Sequence, residues 1–295
     1  EYTNSFLSFF PKISVILNID EDHLDFFKDL EDIRNSFHKF AKLLPADGCL
    51  IINGAIDRLQ EITRDLDCRV ITFNKEAVNS DGSAADYYPS DITFDEFGHP
   101  SFTLHRHGEV SGSFSLQVPG EHNVCNAIAS IALADLLKID RAVTASALHG
   151  FTGTDRRFEY KGTIGGVTIV DDYAHHPTEL RATLNTAKEM GYKRLIAVHQ
   201  PFTYSRTKML FNDFVDVLKI PDITVLTPIM GSREPNDPTI TSAKLAAQIP
   251  GSVLVNSLEE AAEWVKQNAR EGDLVITLGC GDIYKASKMM VADNQ

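Results

Sequence analysis

The sequence predicts an α/β fold made of two domains, and three observations support this prediction. The chain has 295 residues, which is enough for two domains with separate hydrophobic cores. Apolar runs of strand length alternate with helical patterns in the second half, and this alternation predicts a doubly wound parallel sheet. The pattern changes after Gly150, so we predict one domain over 1–150 and another over 151–295.

The composition is typical of a globular protein, with 43% hydrophobic and 23% charged residues. The formal net charge of −13 argues against nucleic acid or an anionic membrane as a partner. No apolar run approaches the ~20 residues of a membrane span, and no signal-peptide pattern opens the chain. The four cysteines form no CxxC pair, which favours reduced thiols in a cytoplasmic protein. The composition leaves the oligomeric state open.

In the first half, a continuous apolar run over 13–19 predicts a strand covered on both faces. Helical spacing of apolar residues over 30–44, with Pro45 just beyond, predicts a helix. Residues 86–118 hold β-rich segments broken by Pro and Gly, which predicts a small antiparallel portion. Two short strands are predicted at 49–52 and 69–73. Two further helices are predicted, one over 123–137 and one that ends near 148–150.

The second half contains the most informative stretch of the chain. Its predicted strands are 167–170, 195–198, 224–226, 253–255 and 274–278. Residues 171–179, which read Asp-Asp-Tyr-Ala-His-His-Pro-Thr-Glu, follow the first of these strands and precede a helical pattern. Pro177 suits the first helical position, where a missing N–H costs nothing. Because ligands of open α/β sheets bind at such turns, we predict a ligand site here.

Three other polar stretches lie in the second half, and each allows two interpretations. Residues 199–208 follow a strand and carry Arg206, which binds a carboxylate or phosphate or is a surface charge. The adjacent arginines of 154–159 clamp phosphates or form a surface salt-bridge cluster. The Gly-x-Gly turn of 277–283 is weak evidence of a ligand, since close helix–strand packing explains it.

Two polar stretches stand out in the first half. The acidic run 18–25 includes His23 and suits a metal beside a phosphate, although a solvated loop with a capping histidine is favoured. At 120–127, Asn123 and Asn126 lie one helical turn apart, where their amides match a purine edge. N-capping is the alternative, but Asn126 lies beyond a capping position.

Taken in order, these motifs resemble those of the Mur ligase family over essentially the whole chain. The matching elements are Asn-Ile-x-x-Asp-His-Leu-Asp, Gly-x-His-Asn-x-x-Asn-Ala, Arg-Arg-Phe, Gly-x-Gly-Asp, the double-His stretch and Gln-Pro-x-Thr-Tyr-Ser-Arg-Thr. The last two together resemble the member that adds L-alanine to UDP-N-acetylmuramate. The resemblance implies a central ATPase-type α/β domain over 1–150, truncated at its N-terminus, and a Rossmann-like C-terminal ligase domain over 151–295.

The resemblance also implies an activity and its cofactors. The activity is ATP-dependent amide synthesis with Mg²⁺, in the making of peptidoglycan precursors in the cytoplasm. The carboxylate of UDP-N-acetylmuramate takes the γ-phosphate, and the amine of L-alanine then attacks the acyl phosphate. Such chemistry depends on positioning and charge neutralisation more than on protein nucleophiles.

The site residues that the resemblance implies fall into three groups. Those lining the alanine and acyl-phosphate side are His175, His176 and Arg206. The nucleotide group has three roles. The implied adenine contacts are His122, Asn123 and Asn126. Arg157 is the implied phosphate contact and Asp172 the implied ribose contact. The implied magnesium ligand is His23.

The chain departs from the family pattern in two places. It contains no Gly-x-x-x-x-Gly-Lys-Ser/Thr loop, and a metal-binding Glu-Ala-Cys-Glu-Tyr element survives only as Glu1-Tyr2. We therefore expect the P-loop and UDP-binding domain upstream of Glu1, and no ligase activity from this chain alone. The family's Phe-Gln-Pro-His reads His199-Gln200-Pro201-Phe202 here, so either His199 takes over the imidazole role or that contact is dispensable.

Other functions remain as alternatives. One is a different Mur-type ligase, such as the murein tripeptide-recycling enzyme or a ligase acting on a folate-like acid. Another is a non-catalytic nucleotide-binding module, which the missing P-loop favours. A nicotinamide dehydrogenase is the least expected, since no Gly-x-Gly-x-x-Gly follows an early strand.

Overall fold

The computed structural model describes residues 2–23 and 26–292, so Glu1, Leu24 and Asp25 of the motifs above lie outside the described residues. The chain forms two compact units that meet in sequence between Thr152 and Gly153. Residues 96–98, at the tip of a hairpin, group with the second unit. Each unit contains one six-stranded sheet.

The first unit combines parallel strands with an antiparallel end. Its sheet has the order β1-β2-β3-β4-β5-β6, parallel from β1 to β4 and antiparallel from β4 to β6. The strands are Ile13–Ile16, Cys49–Asn53, Arg69–Phe73, Tyr87–Phe94, Pro100–Arg106 and Glu109–Ser115. The helices α1 to α4 are Leu30–Ala41, Leu59–Thr63, Glu121–Leu136 and Arg141–Gly150, preceded by a 3-10 segment at Tyr2–Ser8.

Strand β2 shows why this unit reads as continuous apolar runs. Cys49 and Ile51 belong to the core on the α3 side, while Leu50 and Ile52 belong to the core beside α1 and α2. Successive side chains of a strand point to opposite faces, so a sheet covered on both faces requires apolar residues at every position.

The second unit is a doubly wound sheet, as predicted. Its strand order is β11-β10-β9-β12-β8-β7, with β7 antiparallel to β8 and the other pairs parallel. The strands β7 to β12 are Glu159–Ile164, Val167–Asp172, Arg194–His199, Ile223–Leu226, Val253–Leu254 and Asp273–Leu278. The helices α5 to α10 are Pro177–Glu189, Tyr204–Met209, Phe211–Val217, Ser242–Ala246, Leu258–Asn268 and Tyr284–Val291.

Helices cover both faces of this sheet. Helices α5, α7 and α8 contribute to one core, and α9 and α10 contribute to the other. The helix that follows β8 and the helix that follows β12 therefore pack on opposite faces, although the two strands are neighbours. In open α/β sheets this reversal opens a crevice at the carboxyl ends of the strands.

The α/β class and the strand pattern are confirmed, with differences at element ends and edges. β1 ends at Ile16, short of the predicted 13–19, and it is not covered on both faces as predicted, because Val15 is exposed. β7 was not predicted. β7 is an edge strand of mostly part-buried and exposed residues, so its sequence lacks a clear apolar pattern. Among residues 2–23 and 26–292, no helix is long and apolar enough to cross a membrane.

Candidate functional site

Three polar turns begin side by side at the carboxyl edge of the second sheet. Leu278, the last residue of β12, is paired with Asp172 of β8 on one side and with His199 of β9 on the other. The turns that follow these strands start at Tyr173, Gly279 and Gln200. The predicted double-His and Ser-Arg-Thr stretches are thus brought to one edge, with the Gly-x-Gly turn between them.

His176 is the N-cap residue of α5, and its side chain is buried. Its Nδ1 accepts a hydrogen bond from the Thr178 N–H at 3.3 Å, and it is only 8% exposed. The Glu179 carboxylate completes a capping box by accepting from the backbone N–H groups of His175 at 3.0 Å and His176 at 3.3 Å. An accepting Nδ1 carries no proton, so the neutral ring of His176 carries its N–H at Nε2.

His175 has the opposite arrangement of ring nitrogens. Its Nδ1 lies 3.1 Å from the carbonyl oxygen of Tyr173 and 3.3 Å from a carboxylate oxygen of Glu179. Both neighbours are acceptors, so Nδ1 carries the proton and the neutral ring has its lone pair at Nε2. The ring also packs edge to face on Tyr173, with centroids 5.7 Å apart. The two adjacent histidines therefore present one acceptor and one donor.

Glu179 was part of the predicted stretch but received no role from the sequence. Its position three residues after His176 was the available signal, because a capping box has this spacing. His176 was not read as a cap because Ser, Thr, Asp and Asn are the usual capping residues.

The two aspartates that end β8 are both buried. Asp171 accepts from the Thr277 hydroxyl at 2.5 Å and pairs with Arg156 at 3.1 Å. The Asp172 oxygens accept from the backbone N–H groups of Phe158 at 2.8 Å and Ala174 at 2.7 Å. Burial raises the pKa of Asp172 to about 6 despite these bonds. Both aspartates thus hold the turn in place, and a ribose contact by Asp172 stays a prediction.

The neighbouring arginines Arg156 and Arg157 have different environments. The Arg156 guanidinium binds Asp171 and the carbonyl oxygens of Gly279 at 2.5 Å and Gly281 at 3.1 Å. It also lies 4.8 Å from the ring centroids of two tyrosines, Tyr173 and Tyr284. Arg157 is exposed. Arg156 therefore links the end of β8 to the Gly-x-Gly turn after β12, while Arg157 can meet a ligand.

Arg206 lies on α6, in the turn after β9. Its guanidinium donates to the carbonyl oxygen of Phe202 at 3.3 Å. Burial raises the pKa of the Cys280 thiol to about 11, and the charges of Arg206 and Arg156 partly oppose this shift. The negative charge of Glu179 acts in the opposite sense and raises the pKa of the thiol. Because β8 and β9 both pair with β12, the Arg206 turn and the double-His turn start at the same edge of the sheet.

The structure favours one of the two alternatives for His199. Its ring is completely buried, stacks on Phe214 and donates from Nδ1 to the carbonyl oxygen of Leu278 at 3.1 Å. Burial lowers the pKa of His199 to about 4, so the ring is neutral. A ring in the core does not reach a ligand. His199 therefore does not replace the family histidine at the Phe202 position.

The first unit presents the predicted adenine contacts at the start of α3. The N-cap is Gly120, so Asn123 is not a capping residue. The Asn123 amide donates to the carbonyl oxygen of Pro119 at 2.8 Å, and Asn126 donates to the Asn123 side-chain oxygen at 3.1 Å. Both His122 and Asn126 are exposed. This ordered pair of amides at an exposed helix start fits a hydrogen-bonding ligand edge.

The acidic loop after β1 does not assemble a metal site by itself. Asp20 and Asp22 each accept from the backbone N–H of the following residue, at 2.8 Å in both cases. The Nε2 of His23 lies 3.8 Å from a carboxylate oxygen of Asp22. Throughout the part of the chain that the structure describes, no three His, Cys, Asp or Glu side chains form a metal-binding group. The described residues thus do not establish a fit for Mg²⁺.

Together, these features define the class of α/β proteins that bind ligands at the carboxyl ends of parallel strands. Comparison with known families gives a finer result. The model described as Mur ligase middle domain matches residues 3–134, and the model described as Mur ligase, glutamate ligase domain matches residues 156–281. The chain belongs to the Mur ligase family.

Individual relatives agree with this assignment. The UDP-N-acetylmuramate--L-alanine ligase of Lachnospira eligens is 47% identical over 292 residues, which is 98% of this chain and 62% of that relative. The crystal structure of UDP-N-acetylmuramate-alanine ligase from Thermotoga maritima is 25% identical, with a TM-score of 0.77 over 98% of this chain and 61% of that one. The chain therefore spans less than two thirds of the length of either protein.

A third similar protein was solved with a nucleotide. It is the MurF ligase of Thermotoga maritima in complex with ADP, with a TM-score of 0.72 over 97% of this chain and 63% of that one. At 15% sequence identity, this likeness concerns the fold alone.

Proposed function

We propose that this chain is the middle domain (1–150) and the C-terminal domain (151–295) of an ATP-dependent ligase that joins L-alanine to UDP-N-acetylmuramate. The reaction belongs to peptidoglycan precursor synthesis in the cytoplasm. One observation carries the proposal: the double-His turn and the Arg206 turn start at one sheet edge, on either side of β12, in a chain 47% identical to a ligase with that name.

The second unit supplies the groups that the amide-forming step needs. Arg206 binds an anionic group, either the carboxylate of L-alanine or the acyl phosphate. The neutral His175 ring accepts, at Nε2, the proton that the attacking amine loses. The Nε2–H of His176 donates to a phosphate or carbonyl oxygen, where negative charge grows. The carboxyl carbon then keeps the new C–N bond and releases phosphate.

The nucleotide contacts come from residues that can still take a ligand. His122 and the Asn123–Asn126 pair meet the adenine, and Arg157 meets the phosphates. Asp172 is buried and accepts two hydrogen bonds from backbone N–H groups. Its carboxylate oxygens have further lone pairs, and these accept from the ribose hydroxyls. ATP supplies the phosphoryl group that activates the carboxylate. His23 as a magnesium ligand remains part of this proposal.

A hybrid enzyme tests the proposal. This chain replaces the matched 292 residues of the Lachnospira eligens ligase, and phosphate release is measured with ATP, UDP-N-acetylmuramate and a panel of amino acids. We expect release with L-alanine and little with D-glutamate or a murein tripeptide. Arg206→Lys in the hybrid is expected to raise the KM for L-alanine, because a lysine lacks the planar fork of guanidinium donors.

The outcomes separate the alternatives. Phosphate release that depends on the tripeptide instead of L-alanine would assign the chain to the recycling activity. A hybrid that binds ATP, yet shows no acceptor-dependent release with any of the amino acids or the tripeptide, would favour a non-catalytic nucleotide-binding module.

A further inference from the structure

The loop after β10, residues 228–237, makes several contacts with the segment that carries Arg206. We call these residues the β10 loop. The Met230 N–H donates to the carbonyl oxygen of Pro201 at 2.9 Å, and Met230 forms a parallel β-bridge with Phe202. Gly231 lies against the ring of Tyr204, so closely that a Cβ at Gly231 would come within 2.4 Å of the ring. The loop therefore lies directly on the residues just before Arg206.

Glu234 makes the polar part of this contact. Its carboxylate accepts from the backbone N–H of Ser205 at 2.9 Å and from the Ser205 hydroxyl. Hydrogen bonds from the Ser205 hydroxyl and backbone, the Thr203 hydroxyl and the Tyr204 backbone outweigh burial and lower the pKa of Glu234. The carboxylate thus stays ionised at neutral pH.

Helix α6 needs such a partner because it makes no cap of its own. Thr203 occupies the N-cap position of α6, but its side chain accepts no capping hydrogen bond from a backbone N–H of the helix. The first N–H groups of a helix have no partner within the helix. A carboxylate from another loop can satisfy them and interact favourably with the helix dipole. Glu234 fills this role from a position about 30 residues further along the chain.

We propose that Glu234 is a positioning residue that holds the first turn of α6 and thereby fixes the guanidinium of Arg206 in the site. Arg206 directly follows Ser205, and its own guanidinium donates to Phe202 in the same clamped segment. An arginine that must meet a small carboxylate or phosphate needs its backbone held within a fraction of an ångström. The ligand of Arg206 rests on the proposed function, whereas the coupling of Glu234 to Arg206 does not.

NMR of the full 295-residue chain tests the coupling through the Arg206 Nε–H signal, assigned by its loss in Arg206→Lys. The variants are Glu234→Ala, Glu234→Gln and the control Asp237→Asn. Asp237 lies in the same loop and carries the same charge, but it pairs with Lys208 at 3.3 Å instead of Ser205. The exposed Arg233 gives the signal of an unrestrained arginine for reference.

We expect Glu234→Ala to shift the Arg206 signal and to reduce its heteronuclear NOE toward that of Arg233. Glu234→Gln keeps one acceptor and should show a smaller change, while Asp237→Asn should leave the signal in place. An Arg206 signal that is unaltered in shift and NOE in folded Glu234→Ala would overturn the proposal. If Glu234→Ala does not fold, Glu234→Gln decides by the same criterion.

A titration with L-alanine separates this proposal from the proposed function. The Arg206 signal of the wild-type chain should respond to L-alanine, and the Kd should rise about tenfold in Glu234→Ala because the guanidinium is misplaced. No response in the wild-type chain counts against L-alanine as the ligand of Arg206. The variant spectra without ligand still decide whether Glu234 positions the arginine.

Discussion

Two turns of this chain carry acidic residues and histidine directly after a parallel strand, yet the structure treats them differently. Asp172 is the last residue of β8 and His176 lies in the turn that follows it, whereas the loop after β1 contains Asp22 and His23. β8 lies between two strands, whereas β1 pairs with β2 alone among the described residues. The end of β8, an interior strand, is held by side chains from other parts of the chain, and Arg156 is the main one.

The comparison shows that acidic residues and a histidine after a strand do not by themselves form a preorganised site. The Thr277 hydroxyl donates to Asp171, and the carbonyl oxygens of Gly279 and Gly281 hold Arg156 beside it, because β12 is the neighbour of β8 in the sheet. At the edge strand, Asp20 and Asp22 bond to the residues that follow them in sequence. A central position thus supplies long-range partners that hold polar side chains in one geometry, which a binding or catalytic site requires.

The largest expected effect comes from the arginine pair beside the β8 turn. Arg156→Met leaves the buried Asp171 without its charge partner and should lower the free energy of unfolding by about 3 kcal/mol. Arg157→Met should change it by less than ~0.5 kcal/mol, because the side chain is exposed. Urea denaturation followed by circular dichroism measures both. Equal effects in the two variants would mean that the β8 turn is not held through Arg156.

A pH effect of intermediate size should come from Asp172. Its pKa of about 6 exceeds the model-peptide value of 3.8, so the folded protein holds this proton more tightly than the unfolded chain does. As pH rises from about 4 to 7, the unfolded chain loses the proton first, and stability falls by about 2 kcal/mol. The positive charge of Arg157 limits this effect, and the negative charge of Glu179 increases it.

The variant Asp172→Asn isolates that effect. Asparagine does not titrate, so the difference in unfolding free energy between variant and wild type should shift in favour of the variant as pH rises. Other carboxylates titrate equally in both proteins and cancel in the difference. A difference that is constant between pH 4 and 7 would show that Asp172 keeps an ordinary pKa.

The smallest expected effects on stability come from variants of the histidines in the two turns, and they compare the turns directly. His176→Ala removes the cap of α5 and should cost about 1 kcal/mol, while His176→Asn should restore most of it because asparagine is a good cap. His23→Ala should change stability by less than ~0.5 kcal/mol. Thermal unfolding of the three variants measures this order. A loss in His23→Ala as large as that in His176→Ala would mean that the β1 loop is held as firmly as the β8 turn.

Much of the fold could be predicted from local pattern. The strand at 195–198 is apolar over its full length, and those at 167–170 and 274–278 are each interrupted by a single threonine. Such runs suit a sheet with both faces covered. β7 was missed because an edge strand with few buried residues carries no such pattern. The site was predicted as a set of residue types, but the tautomers of His175 and His176 depend on hydrogen bonds that no spacing reveals.

The sequence by itself determined the α/β class, the order of the strands apart from β7, and the presence of polar turns after particular strands. These features depend on local periodicity and on short-range turn chemistry, which lie within a few residues of each other. Only the tertiary structure decided that Arg156 is structural while Arg157 is exposed, that His199 is buried in the core, and that Glu234 supports the Arg206 helix. Those assignments depend on partners 15 to 125 residues away along the chain, and only the packing of the sheet brings them together.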